Sequence, residues 1–246
     1  MDAPREATGK RVSLSASEVD QIACAVRELT MVPHSALRFT IERAVDTISS
    51  EIPGVIVECG VWRGGCSIAM LEAQRAAYGR VVRPVYMLDS FRGLPPATIR
   101  DGLLAIKWQR SVDAPDYYDN CRASQVELQT ALDEFGFTRE DYRIVAGWFA
   151  DTLPAVVAEL QSQGIALLRL DADWYEPTLT CLEQLVPLVS KAGLVLLDDY
   201  YAWDGCARAV HEFASRSDVP YRIRSIPDFA GAYFFKKSFR DATDKV

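Results

Sequence analysis

Two neighbouring carboxylates close the most apolar run of the chain. Gly193-Leu194-Val195-Leu196-Leu197-Asp198-Asp199 carries strand chemistry straight into a pair of like charges. Such a pair repels and favours protonation of one member unless a positive charge lies beside it. A second apolar run, Ile165 to Leu170, ends the same way in Asp171 and Asp173. Those two acids stand two residues apart, so both can face one pocket. Clustered hard oxygen donors suit Mg²⁺, Mn²⁺ or Ca²⁺ rather than a thiophilic metal. A divalent cation among the four aspartates would offset the repulsion between Asp198 and Asp199. Acids after strands also serve as helix caps, and Glu176, ahead of Pro177, reads as a helix start.

A third feature lies upstream. Val55-Ile56-Val57-Glu58-Cys59-Gly60-Val61-Trp62-Arg63-Gly64-Gly65-Cys66-Ser67 reads as a strand, a glycine turn and the start of a helix. Gly60, Gly64 and Gly65 let the backbone approach a ligand closely and aim amide N–H groups at it. The spacing is not GxGxxG, which disfavours a dehydrogenase. Glu58 before the first glycine suits an amine-bearing or cationic cofactor and would repel a pyrophosphate. The next strand ends in Asp89, placed to accept the ribose hydroxyls of a nucleoside. Taken in this order, the signals point to S-adenosylmethionine.

The elements that must position these residues follow from the hydrophobic pattern. Residues 15–30 and 35–50 show apolar side chains at helical spacing, each opened by serines able to cap. Short apolar runs at 55–59, 83–89, 142–147, 165–171 and 193–199 then alternate with helical stretches around 66–78, 123–136, 151–163 and 177–190. Alternating strands and helices, with strands apolar on both faces, predict an α/β fold with a mostly parallel sheet covered on two sides. A last helix over about 206–216 precedes two β-like runs, 221–226 and 231–237, expected to pair antiparallel at one edge. In a parallel sheet the strand C-termini open on one rim, where ligands bind. Glu58, Asp89, Asp171, Asp173, Asp198 and Asp199 therefore converge there. Residues 90–122 break the rhythm. They carry three prolines and the aromatics Phe91, Trp108, Tyr117 and Tyr118, and a long irregular insertion of this kind reads as a lid.

Bulk properties narrow the classes. The chain has 246 residues, 49% hydrophobic and 25% charged, with a formal net charge of -7. This suits one soluble globular domain over 15–246, preceded by a disordered arm over 1–14. Clustered Lys and Arg are absent, so nucleic acid is not an expected partner. No membrane-length window is free of charge, and the N-terminus lacks the apolar core of a signal peptide. Six cysteines without a CxxC pair read as free thiols in a reducing cytoplasm. Two histidines argue against a histidine-based zinc site.

At this point the chain resembles the metal-dependent O-methyltransferases that modify deoxysugars of antibiotics, the macrocin and mycinamicin type. The resembling stretches are ECGVWRGG (58–65), LDSFRGLP (88–95), GWFADTLP (147–154), RLDADWYEPT (169–178) and LLDDYYAWDGCARAVHEF (196–213), in the family's order. The resemblance implies a class I S-adenosylmethionine-dependent methyltransferase, Rossmann-like. It implies Mg²⁺ held by Asp171, Asp198 and Asp199. Asp173 is implied as general base, with Asp171 beside it as the second catalytic acid. Glu58, Gly60, Val61, Gly64, Ser67, Asp89, Ser90, Trp148 and Phe149 are implied near the cofactor. It also implies a glycosylated small-molecule acceptor and a homodimer or higher homo-oligomer. Pro177 departs from the family's usual Tyr-Glu-Ser-Thr, which a helix start tolerates. His211 stands where relatives carry an acid. The alternative is an Mg²⁺-dependent phosphohydrolase with an aspartate nucleophile, suggested by DADWY (171–175). Tyr175 in place of Thr, and the absence of room for a lysine motif between the acid clusters, oppose it.

Overall fold

The computed structural model describes residues 12–237. The arm expected over 1–14 therefore falls mostly outside the described residues. Helices α1 (Ala16–Ala25) and α2 (His34–Ser49) come first. Ser15 caps α1 in a reciprocal capping box with Glu18, which satisfies otherwise orphaned N–H groups. Then follow β1 (Val55–Cys59), α3 (Gly65–Tyr78), β2 (Val85–Asp89), α4 (Gly102–Arg110), the single turn α5 (Tyr118–Cys121) and α6 (Gln125–Glu134). The second half holds β3 (Tyr142–Ala146), α7 (Phe149–Leu160), β4 (Ile165–Leu170), α8 (Tyr175–Leu185), β5 (Val189–Leu197), α9 (Asp204–Ser215), β6 (Arg224–Ser225) and β7 (Ala232–Phe235).

The sheet runs β3-β2-β1-β4-β5-β7-β6. Its first five strands are parallel, and β7 pairs antiparallel with both β5 and β6. The expected antiparallel edge is thus present. Successive strand residues face opposite sides. Ile56, Met87, Leu167 and Leu196 pack under α1, α2, α3 and α6. Val57, Leu88, Leu168 and Val195 pack under α7, α8 and α9. Each fully buried side chain of this kind contributes about 1.5–3 kcal/mol, so the two cores hold the strand ends rigidly.

Two boundaries differ from the sequence pattern. The helical stretch expected over 177–190 ends earlier, because α8 stops at Leu185 and β5 begins at Val189. Pro187 lacks the N–H that a continuing helix needs, and a 3₁₀ turn over Val186–Leu188 carries the chain into the strand. Helix α8 also starts at Tyr175, so Pro177 is its third residue, still within the first turn where N–H groups have no intrahelical partner. The insertion contains real structure: a 3₁₀ turn over Ile99–Asp101, then α4, then α5.

Candidate active site

The glycine turn is shaped by contact with the acid strand. Gly60 has φ +85°, and a Cβ there would lie 1.6 Å from the Asp171 carbonyl oxygen. Only glycine fits, and the tight approach lets the Gly60 N–H donate to Leu88 O and the Asp171 N–H to Cys59 O, each at 2.8 Å. Asp89 then fastens the turn. Its Oδ2 accepts from the N–H groups of Val61 (2.8 Å) and Trp62 (3.0 Å), and its Oδ1 accepts from Phe91 N–H (2.7 Å). Burial pushes this carboxyl above its usual range, while the three amides oppose the shift. A carboxylate offers about four acceptor sites, so a site remains for a ligand hydroxyl. Ser90 Oγ donates to Gly93 O and accepts from Arg92 N–H, closing the following turn.

Glu58 is buried in the floor, where Ser67 Oγ donates to one of its oxygens. The other, Oε1, accepts from Arg169 Nη1 at 2.8 Å. Arg169 lies opposite Glu58 in the β1–β4 register. Its Nη1 also reaches Asp171 Oδ2 at 2.9 Å, and its Nη2 pairs with Asp198. At 1% exposure the guanidinium is fully enclosed. Burial raises Glu58 and Asp198 to about 7 against the pull of Arg169. Sequence reasoning missed Arg169. Its signal was a charged residue inside the apolar run Ile-Ala-Leu-Leu-Arg-Leu, which a buried parallel strand tolerates only with partners.

The remaining acids form a trio. Oxygens of Asp171, Asp173 and Asp199 lie within 4.8 Å of one another. Asp199 Oδ2 accepts from Asp173 N–H at 3.1 Å. Burial, then the neighbouring carboxylates, hold Asp173 and Asp199 well above the usual range. Asp198 stands beside this trio, with Oδ1 accepting from Arg169. Asp173 belongs to the trio, on a backbone with φ +52°.

Both ends open into one cavity of about 470 Å³. Glu58, Gly60, Val61, Asp89, Ser90, Trp148, Phe149, Asp171, Asp173, Asp198 and Asp199 all line it. Gly64 and Ser67 do not. Gly64 caps α3 behind the turn with φ +94°, and Ser67 lies beneath Glu58 and orients it. His211 is exposed, with Nε2 3.0 Å from the Tyr200 hydroxyl. Arg169 is the one cation lining the cavity among the described residues, against eight carboxylates.

The insertion roofs this space. Trp108 from α4 meets Trp203 at 5.9 Å between ring centroids and Trp174 at 6.1 Å, edge to face. Gln109 ties the roof together, donating to Pro95 O and Asn120 Oδ1 at 2.9 Å and accepting from Ala97 N–H at 2.7 Å. Turn α5 is left-handed throughout, with φ +47° to +57° over Tyr118, Asp119, Asn120 and Cys121. Each such non-glycine residue costs roughly 1–2 kcal/mol. Reciprocal bonds between Leu94 and Asn120 hold it in place.

Comparison with known proteins places this arrangement. The family model for macrocin-O-methyltransferase (TylF) matches residues 16–237. The 8-demethyl-8-(2,3-dimethoxy-alpha-L-rhamnosyl)-tetracenomycin-C 4'-O-methyltransferase of Streptomyces olivaceus is 33% identical, over 79% of this chain and 70% of that protein. Demethyldecarbamoylnovobiocin O-methyltransferase of Streptomyces niveus is 35% identical, over 77% and 68% respectively. The solved structure of the O-methyltransferase NovP superposes with a TM-score of 0.75 at 28% identity, covering 90% of this chain and 97% of that one.

Proposed function

The chain belongs to the macrocin O-methyltransferase family and is an S-adenosylmethionine-dependent O-methyltransferase, and from that premise we propose that it methylates a sugar hydroxyl of a glycosylated natural product with the aid of Mg²⁺. The phosphohydrolase alternative falls with the family. The observation that carries the metal is the charge imbalance: eight carboxylates and one guanidinium share one cavity. The donors are all hard oxygens, which fits Mg²⁺. Asp171 and Asp199 would hold it, with Asp198 adding the oxygen that Arg169 leaves unpaired. When bound, the cation stabilises negative charge developing on the acceptor oxygen.

The chain's own residues do the rest. The turn from Gly60 to Trp62, fastened by Asp89, receives the cofactor, and Glu58 lies beneath it as an acid suited to an amine or sulfonium. The faces of Trp148 and Phe149 favour that positive charge. S-adenosylmethionine, when bound, would supply an electrophilic methyl carbon, whose bond to sulfur would break as the acceptor oxygen bonds to it, leaving a neutral thioether. Asp173 takes the hydroxyl proton. A base works best with a pKa near the working pH, and burial moves Asp173 upward in that direction. Alignment of oxygen, carbon and sulfur supplies much of the rate, and the aromatic roof excludes water.

The acceptor is read as a sugar with two neighbouring hydroxyls. If three aspartates each gave one oxygen to a six-coordinate Mg²⁺, three positions would remain, enough for a vicinal diol and a water. The test uses matched glycoside pairs, one lacking only the neighbouring hydroxyl, with methylated product followed by mass. A much lower kcat/KM for the deoxy member supports the diol reading, and comparable values would remove it. A homo-oligomer and a reducing compartment belong to the same reading, the latter consistent with six unbridged cysteines.

A further inference from the structure

Helix α8 begins immediately after the acid loop, yet nothing local caps it. Its N-cap residue is Trp174, which makes no side-chain capping bond. The first helical N–H, that of Tyr175, donates instead to Asp101 Oδ1 at 2.7 Å, across 74 residues of sequence. Asp101 belongs to the roof. Its other oxygen accepts from the N–H and Oγ1 of Thr98, at 2.6 and 2.7 Å, which fixes the carboxylate within its own 3₁₀ turn. Although an aspartate, it is only 3% exposed.

Three further contacts converge on this junction. Trp174 Nε1 donates to Pro95 O of the roof at 3.0 Å. The Arg100 guanidinium lies over the Tyr175 ring, 4.7 Å from its centroid. Helix α9 presses in from the third side, where a Cβ on Gly205 would lie 2.7 Å from Asp101 Oδ1 and 2.9 Å from Tyr175 N. The loop so clamped is the one that holds Asp173 at φ +52°. A left-handed aspartate persists only when its surroundings enforce it. Asp199 enforces it from one side, through the Asp173 N–H, and the roof grips the next two residues from the other.

We propose that Asp101 is a positioning residue through which docking of the roof sets the conformation of the acid loop 171–174. A cap serving helix stability alone is ordinarily supplied by the residue at the helix start. Placed on the roof, it makes the acid trio complete only when the insertion is seated. The inference rests on the proposed roles of Asp171 and Asp173 in the site.

The test is done on the full chain with Mn²⁺ and S-adenosylhomocysteine as probes. Asp101→Ala and Asp101→Asn are compared by Mn²⁺ titration, S-adenosylhomocysteine titration and hydrogen exchange of the peptide covering 171–178. Asp101→Ala is expected to weaken Mn²⁺ binding about 10- to 100-fold, the range for losing a support behind a ligand. It should speed exchange at the start of α8 and leave S-adenosylhomocysteine affinity within about twofold, since Asp89 and Glu58 are untouched. Asp101→Asn keeps an oxygen for Tyr175 N–H but turns an amide donor toward the Thr98 N–H, and should restore part of the Mn²⁺ affinity. A folded Asp101→Ala protein with native exchange and native Mn²⁺ affinity overturns the proposal, whatever its melting temperature. So does equal loss of both probes, the mark of general unfolding. If Asp101→Ala does not fold, Thr98→Val, which removes one support of Asp101, must show the same selective loss in smaller degree. A native chain that binds no Mn²⁺ removes the metal reading, and exchange at 171–178 then decides the Asp101 proposal by itself.

Discussion

Asp89 accepts the Val61 N–H at 2.8 Å across the tips of β1 and β2, so the acid closing one strand builds the turn that follows the other. The same carboxylate binds the next amide as well, that of Trp62. Its work is as much architectural as ligand-facing. Asp89→Asn replaces one acceptor by a donor aimed at backbone N–H groups. An unsatisfied buried donor costs about 1–3 kcal/mol. S-adenosylhomocysteine affinity should fall by about 5- to 150-fold on the conversion of 1.4 kcal/mol per tenfold. Isothermal titration reads this directly, and an unchanged dissociation constant would count against the turn as the cofactor seat.

Removal of the cation should abolish turnover. We expect EDTA-treated protein to lose methyl transfer and to regain it with Mg²⁺. Asp198→Asn should weaken Mg²⁺ by about tenfold or more, because a hard cation loses an anionic donor. Native affinity in this variant would leave Asp198 as a partner of Arg169 alone.

Arg169→Met leaves Glu58 and Asp198 buried without their cation. Breaking a buried pair from one side costs about 3–5 kcal/mol. Urea denaturation at fixed pH should show a loss of this size with little change in slope, since the surface exposed on unfolding is similar. A loss below about 1 kcal/mol would mean that the carboxylates find other partners or take up protons.

Asp119→Gly should stabilise the protein. Asp119 sits in the left-handed turn at φ +49°. Glycine removes roughly 1–2 kcal/mol of strain and returns about 0.5–1 kcal/mol through the freer unfolded chain. A net gain of about 0.5–1 kcal/mol should appear as a higher melting temperature. The pair with Arg122, 3.9 Å apart and exposed, contributes little to offset it. A lower melting temperature would show that the turn is held by something other than its carbonyl bonds.

Much of this was legible beforehand, for identifiable reasons. Val55–Cys59 reads as a strand because five apolar or buried positions are bounded by a glycine turn, and β1 has those limits. The acids at strand ends were legible because a parallel sheet gathers its C-termini. Asp101 was not, since one aspartate in an aperiodic insertion gives no sign of the amide it will reach 74 residues away. Turn α5 escaped for the opposite reason: Tyr-Asp-Asn-Cys has no glycine to announce positive φ. The division of the aspartates was equally hidden. Asp198 and Asp199 are identical in type and adjacent, and only the position of Arg169 separates their duties.

Arg169 also constrains the order in which the molecule can assemble. Its carboxylate partners lie 111 residues before it, at Glu58, and 29 after it, at Asp198. A guanidinium cannot leave water until those charges arrive, because burying it unpaired costs several kcal/mol. Strands β1, β4 and β5 must therefore dry out together. During synthesis, the strand carrying Glu58 emerges early and waits for Asp198. Until then the middle of the sheet stays wet, and closure of the guanidinium over its three acids belongs to the late, non-local part of the folding reaction.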